Sequence, residues 1–122
     1  MPTEPQPVTL SQIARRAAEI VDPDGTDPAV GELELAFEDA DEPVTAIDDL
    51  EARVASVLAR LDPEIESGAL ALAGSIMVYL SFRRDQLDGD DAELIRLAAR
   101  AEWAGSPPAV VRQWLDEHAL EL

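Results

Sequence analysis

The chain has no cysteine, no lysine and a single histidine, His118. The absence of cysteine excludes disulfide bonds and thiolate nucleophiles. One histidine is too few for the Glu-x-x-His pairs of di-iron bundles, and the usual zinc ligand sets are also missing. His118 lies in the stretch "DEHALEL", which favours a surface position at a helix end over a role in a Ser-His-acid triad. We therefore expect no enzymatic activity, no metal and no cofactor.

Long hydrophobic runs are also missing. The longest, residues 69–82, has about fourteen residues and is interrupted by Gly74 and Ser75, whereas a bilayer span needs roughly 20. The first residues, "MPTEPQPVTL", have neither the basic start nor the apolar stretch of a secretory signal. These features predict a cytoplasmic protein without a membrane segment.

Acidic residues dominate the charge of the chain. Twenty-six acids face nine bases, all arginine, and the net charge is −17. Five acids and three arginines follow Ala92, so the first 92 residues carry −15 of this charge. Thirteen acids and no base lie between Ala17 and Ala52. Such a field repels phosphate backbones and anionic lipids, and it attracts basic partners. Nucleic acid is therefore a disfavoured partner, and a basic protein surface is a favoured one.

The acidic stretch supplies the predicted partner-binding residues. They would act by electrostatic steering followed by apolar anchoring, and a homodimer is a further option. A solvated surface produced by adaptation to a salty or GC-rich background is the alternative explanation of the same acids. The predicted partner-binding residues are Glu32, Glu38, Asp39, Asp41, Glu42, Asp48 and Asp49.

Asp22, Asp24 and Asp27 surround Gly25 in the segment "DPDGTD". This grouping is reminiscent of a calcium loop, but its spacing departs from the EF-hand pattern and no closing glutamate follows. Aspartate, glycine and proline are also the residues of ordinary turns between helices. We expect a turn here.

Apolar residues recur with helical spacing along most of the chain, and no segment alternates like a strand for more than four residues. Helix starts are predicted at Thr9, Thr45 and Asp90, and at three cap-plus-proline pairs: Asp27-Pro28, Asp62-Pro63 and Ser106-Pro107. Residues 69–84 form a segment that is apolar nearly all round, which is typical of a central buried helix. The prediction is an all-α, single-domain bundle of about six helices over residues 9–122, preceded by a flexible Pro-rich tail at 1–8.

The segment "LAARAEWAGSPPAVVRQWLDE", residues 97–117, resembles the "G-V-S-P-x-T-V-R-x-W" phrase of excisionase and MerR-type DNA-binding proteins. The resemblance covers about twenty residues of the chain. It implies a helix-turn-helix in which Ala101 lies at the helix crossing and Gly105 takes the turn. Arg112 and Gln113 would then face DNA, and Arg96 and Arg100 would contact its backbone.

Charge and capping suggest a different explanation for the same segment. A DNA-binding surface should be a basic patch, yet Asp116 and Glu117 follow Arg112 on the supposed recognition helix. "GSPP" can instead be a glycine helix stop followed by another helix start. The favoured function is therefore an acidic, non-catalytic interaction protein, and a DNA-binding regulator is the alternative.

Overall fold

Six helices account for most of the residues that the computed structural model describes, which are 8–44, 47–64, 66–82, 90–104 and 106–120. Within these ranges there is no strand, and the only strand-like feature is an isolated bridge between Thr9 and Pro43. The predicted all-α bundle of about six helices is confirmed. The helices are α1 (Leu10–Val21), α2 (Pro28–Ala36), α3 (Leu50–Leu61), α4 (Gly68–Phe82), α5 (Asp91–Trp103) and α6 (Ala109–Glu117).

The central helix is α4, as the sequence predicts. It packs against each of the other five helices. Because neighbours surround it, α4 has no solvent-facing polar stripe, and its one buried polar residue, Ser75, donates its hydroxyl to the Leu72 carbonyl at 2.8 Å. Among the helices in the described ranges, none combines the length and hydrophobicity that a bilayer crossing requires. The most deeply buried residues of α4 are Leu70, Leu72, Ala73, Ile76, Met77 and Leu80.

Side-chain caps begin three helices where the sequence predicts them. Thr9 accepts from the Gln12 backbone N–H at 3.3 Å, and the Gln12 side chain accepts from the Thr9 backbone at 2.9 Å, which is a full capping box. Asp27 caps α2 ahead of Pro28, and Asp90 caps α5. These residues determine where each chain segment enters the bundle, because an uncapped first turn leaves backbone donors unpaired.

Asp62 does not begin a helix, contrary to the prediction. Its backbone N–H donates to the Leu58 carbonyl at 2.8 Å and ends α3. Its carboxylate then accepts from the backbone N–H groups of Glu66 and Ser67. Ser67 is the residue that caps α4, since its hydroxyl accepts from Leu70 N–H at 3.1 Å. The aspartate therefore stabilises a turn, and it does so with the carboxylate oxygens that would otherwise cap a helix.

Ser106 is also not a helix cap, and this prediction is wrong for a steric reason. A proline disfavours helical backbone at the residue before it, and here Pro107 and Pro108 follow in succession. The helix α6 begins only at Ala109, and Pro108 at its N-cap position has no capping side chain. The predicted cap Thr45 lies outside the described residues. The N-cap of α3 is Asp49, whose carboxylate accepts from Ala52 N–H at 3.2 Å.

The chain before α1 is tied to the segment before α3. Val8, the last residue of the predicted tail, is half-buried, and its carbonyl accepts from Val44 N–H at 2.9 Å. Leu10 and Ser11 donate their backbone N–H groups to carbonyls of residues 42 and 40. Residues 1–7 of the tail lie outside the described ranges. The connection after α2 is therefore held against the start of α1.

The helix α6 closes one end of the bundle by packing on the first turn of α4. At Gly68, a Cβ atom would collide with the carbonyl group of Val110 and would lie 3.0 Å from Cβ of Trp114. Backbone therefore meets backbone at this crossing, and neither side can yield by rotating a side chain. The absence of a side chain at residue 68 is what allows α6 to lie so close.

Replacing Gly68 with alanine should lower the free energy of unfolding by about 1–3 kcal/mol, the usual cost of overpacking. Gly31→Ala is the matched control, because Gly31 lies in α2 with open space where a Cβ would be. That control should stabilise the protein by about 0.5–1 kcal/mol through helix propensity. Urea unfolding followed by tryptophan fluorescence measures both. Equal effects of the two substitutions would contradict the close α4–α6 approach.

Candidate functional site

All seven predicted partner-binding acids are exposed, Glu32 on α2 and the other six on the segment that joins α2 to α3. Two of them also have structural roles. Glu42 accepts two hydrogen bonds from the Arg53 guanidinium, at 2.7 and 3.0 Å, and these lower the pKa of Glu42. Asp49 caps α3. The other five, Glu32, Glu38, Asp39, Asp41 and Asp48, make no ion pair with any residue the structure describes. We call these five residues the acidic surface.

Leu35 is the one large hydrophobic residue that is strongly exposed within the described ranges, with 67% of its surface accessible. It lies on α2 one turn after Glu32, and its carbonyl accepts from Glu38 N–H at 3.2 Å. The inward residues of this segment are Val30, Leu33 and Phe37, all buried as predicted. Leu35 does not lie on this buried face, so its exposure could have been predicted from the helical period of the sequence. An apolar side chain thus borders the acidic surface.

An apolar groove of about 330 Å³ lies on a different face, between α3 and α4, and the end of α5 flanks it. Small residues on both helices, such as Ala55 and Ala71, leave the space. The side chain of Leu58 packs on Gly74, and a Cβ atom at residue 74 would lie 2.5 Å from Cδ1 of Leu58. Trp103, which is half-buried, lines the α5 side. The sequence does not predict this groove, because its walls come from three separate helices.

Glu51 and Glu102 are the chemically distinctive residues of the groove. Both residues are exposed. Partial burial nevertheless raises the pKa of Glu102, and the negative charge of Glu51 raises it further. The third acid of the lining, Asp62, is already engaged by backbone N–H groups of the turn after α3. No arginine or histidine is among the residues that line the groove within the described ranges. Two like charges therefore face one apolar space without a base between them.

Three of the four residues predicted to contact DNA are exposed, namely Arg100 on α5 and Arg112 and Gln113 on α6. Arg96 is half-buried. Gln113 donates its side-chain amide to Glu117 at 3.3 Å, one turn along α6. Glu117, one of the two acids expected to weaken a DNA-binding surface, therefore contacts Gln113, one of the four residues predicted to contact DNA.

The packing of α5 and α6 differs from the helix-turn-helix expectation. Ala101, predicted to face inward at the helix crossing, is exposed, because α5 turns its Leu94, Ile95, Ala98 and Ala99 stripe towards α4. The main packing partner of α6 is also α4. The left-handed backbone after α5 belongs to Ala104, with φ of 50°, and Gly105 lies outside the described residues. Both helices are therefore arranged around α4 and not mainly around each other.

His118 ends α6 in the surface position that the sequence predicts. Its ring stacks on Trp114 with centroids 3.8 Å apart, and its Nδ1 lies 2.8 Å from the Trp114 carbonyl oxygen.

In the turn after α1, the Asp22 carboxylate accepts from the backbone N–H groups of Asp27 and Thr26, and these hydrogen bonds lower the pKa of Asp22. The "DPDGTD" segment is thus a turn, and among described residues no three potential ligands are grouped as a metal site.

Comparisons of the chain with protein-family models, with curated proteins and with solved structures gave no match.

Replacing Glu102 with glutamine should change how stability depends on pH. A raised pKa means that the folded chain holds the proton more tightly than the unfolded chain does, so the parent protein loses stability relative to the variant as pH rises above about 4.5, the ordinary glutamate value. Urea unfolding of both proteins between pH 4 and pH 8 measures this difference. Glu32→Gln removes the same charge from the exposed face of α2, and a pH-dependent difference of equal size there would contradict the groove environment of Glu102.

Proposed function

We propose that this chain is a small, non-catalytic interaction protein that docks a basic protein partner on the acidic surface of α2 and its connection to α3. The observation that carries the proposal is the exposed Leu35 beside Glu32 and Glu38. An apolar side chain within an acidic surface provides both parts of a docking site, which are long-range attraction and a desolvated contact.

The charge of the surface supports a basic partner in particular. Arg15 of α1 lines a pocket together with Leu35 and Glu38 at the edge of the acidic surface. The acidic surface nevertheless belongs to a stretch of sequence with thirteen acids and no base, and the chain as a whole carries −17. Such a field raises the rate at which a positively charged surface arrives. Self-association through the same face would bring two acidic surfaces together, which like-charge repulsion opposes. A basic partner therefore fits this face better than a second copy of the chain.

Leu35 supplies the short-range part of the proposed contact. Burying a leucine side chain fully is worth about 1.5–3 kcal/mol, and two thirds of Leu35 remains to be buried. Exposed ion pairs contribute much less each, about 0–1 kcal/mol. The acids would then mainly determine which partner arrives and how fast, and Leu35 would slow its departure.

The electrostatic part of the proposal is tested with a fluorescent peptide of about fifteen residues that carries arginine and leucine on one helical face. Fluorescence anisotropy at low salt should show saturable binding that weakens as salt rises. The triple variant Glu32→Gln, Glu38→Gln, Asp39→Asn should bind about tenfold more weakly. A matched triple, Glu64→Gln, Glu66→Gln, Asp116→Asn, removes the same charge from exposed positions elsewhere. Equal losses in the two triples would mean non-specific attraction and would contradict the proposal.

The apolar part is tested with Leu35→Ser. Because the side chain is mostly solvated in the free protein, the free energy of unfolding should change by less than about 0.5 kcal/mol. Peptide affinity should nevertheless fall by about five- to tenfold, mostly through faster dissociation. Ala36→Ser, at an exposed neighbouring position of α2, is the control and should leave affinity unchanged. Binding of the Leu35 variant with unchanged affinity would remove the anchoring role.

A further inference from the structure

The groove between α3 and α4 has the size and lining of a small-molecule site, separate from the acidic surface. Its volume of about 330 Å³ lies at the lower end of the range of ligand pockets, roughly 300–1,000 Å³. One water molecule occupies about 30 Å³ in the liquid, and at that volume for each heavy atom the groove holds a ligand of about ten heavy atoms. The walls from Leu58, Val78 and Trp103 are apolar. The ligand body must therefore be apolar as well.

The charges of the groove indicate the other half of the ligand. Glu51 and Glu102 face the same space, and neither makes a hydrogen bond or ion pair with the other described residues that line it. A neutral ligand would strip water from both carboxylates and leave their mutual repulsion in place. A cation would offset the repulsion, and its charge would compensate the two carboxylates for the water that they lose. Charge complementarity thus selects a positively charged group at this end of the groove.

Trp103 adds a third element to the same selection. An ammonium group over the face of an indole ring is attracted by the ring quadrupole, and the ring also covers apolar surface. Trp103 is only half-buried, so part of its ring is free to contact a ligand.

We propose that the groove binds a small amphipathic organic cation, a primary aryl- or alkylammonium, with its apolar body against Leu58, Val78 and Trp103 and its ammonium group at Glu51 and Glu102. Binding is non-covalent and needs no change in the helix packing. It is independent of the basic protein partner, because the acidic surface of α2 and its connection lies outside the groove lining.

The probe for this site is 2-phenylethylammonium, and 2-phenylethanol is its neutral isostere with the same number of heavy atoms. Calorimetric titration of the full chain at pH 7 should show saturable binding of the ammonium compound, and the alcohol should bind at least about fivefold more weakly. The ammonium compound should also shift the indole N–H resonance of Trp103 in a ¹H–¹⁵N spectrum. Equal affinities of the two compounds, or no shift at Trp103, would overturn the proposal.

Variants separate this site from general attraction to an acidic protein. Glu102→Gln and Glu51→Gln should each weaken 2-phenylethylammonium binding by about fivefold. Glu34→Gln, which removes the same charge from an exposed position of α2 outside the groove, should leave it unchanged. Urea unfolding of the Glu102 variant at pH 7 separates a loss of binding from a loss of stability, and its free energy of unfolding should be no lower than that of the parent protein. Unchanged affinity in both groove variants would overturn the assignment.

Discussion

The structure depends on the burial of one helix that has no polar face. A fifteen-residue segment that is apolar on every side cannot be left at the surface, so each of the other five helices contributes its apolar stripe to cover α4. Close approach to this helix is possible because its sequence contains small residues. Gly68 admits the backbone of α6, and Gly74 admits the side chain of Leu58. The close approach of α3 and α6 to α4 requires these two glycines.

The same constraint places the charge. Because the interior is filled by aliphatic residues, Ser75 is the one polar residue buried among those described, and the acids lie outside or at helix ends. Some of them have structural duties: Asp22, Asp27 and Asp49 bind backbone N–H groups, and Glu42 pairs with Arg53. The remaining acids create a negative field around two apolar features, Leu35 and the α3–α4 groove. The acidity and the apolar features together define what the surface can bind.

Local rules predicted the helix starts only where nothing competed with them. Thr9, Asp27 and Asp90 cap their helices as expected, because each is followed directly by a helical pattern. At Asp62 the carboxylate is taken by the turn that joins α3 to α4. At Ser106 two successive prolines delay the helix. The signals were the same in composition, but the neighbouring residues decided which backbone groups were available.

The sequence by itself determined the fold class, the central helix, the acidity and most of the inward faces, because hydrophobic period and residue charge are local properties. Tertiary structure decided which helix covers which face. It packed α6 mainly on α4 with Ala101 exposed, and it opened a groove where small residues of α3 and α4 meet. It also brought Glu51 and Glu102 to one space although they lie about fifty residues apart in the sequence. Helical period shows which side of a helix is apolar, but only packing selects the neighbour that side will meet.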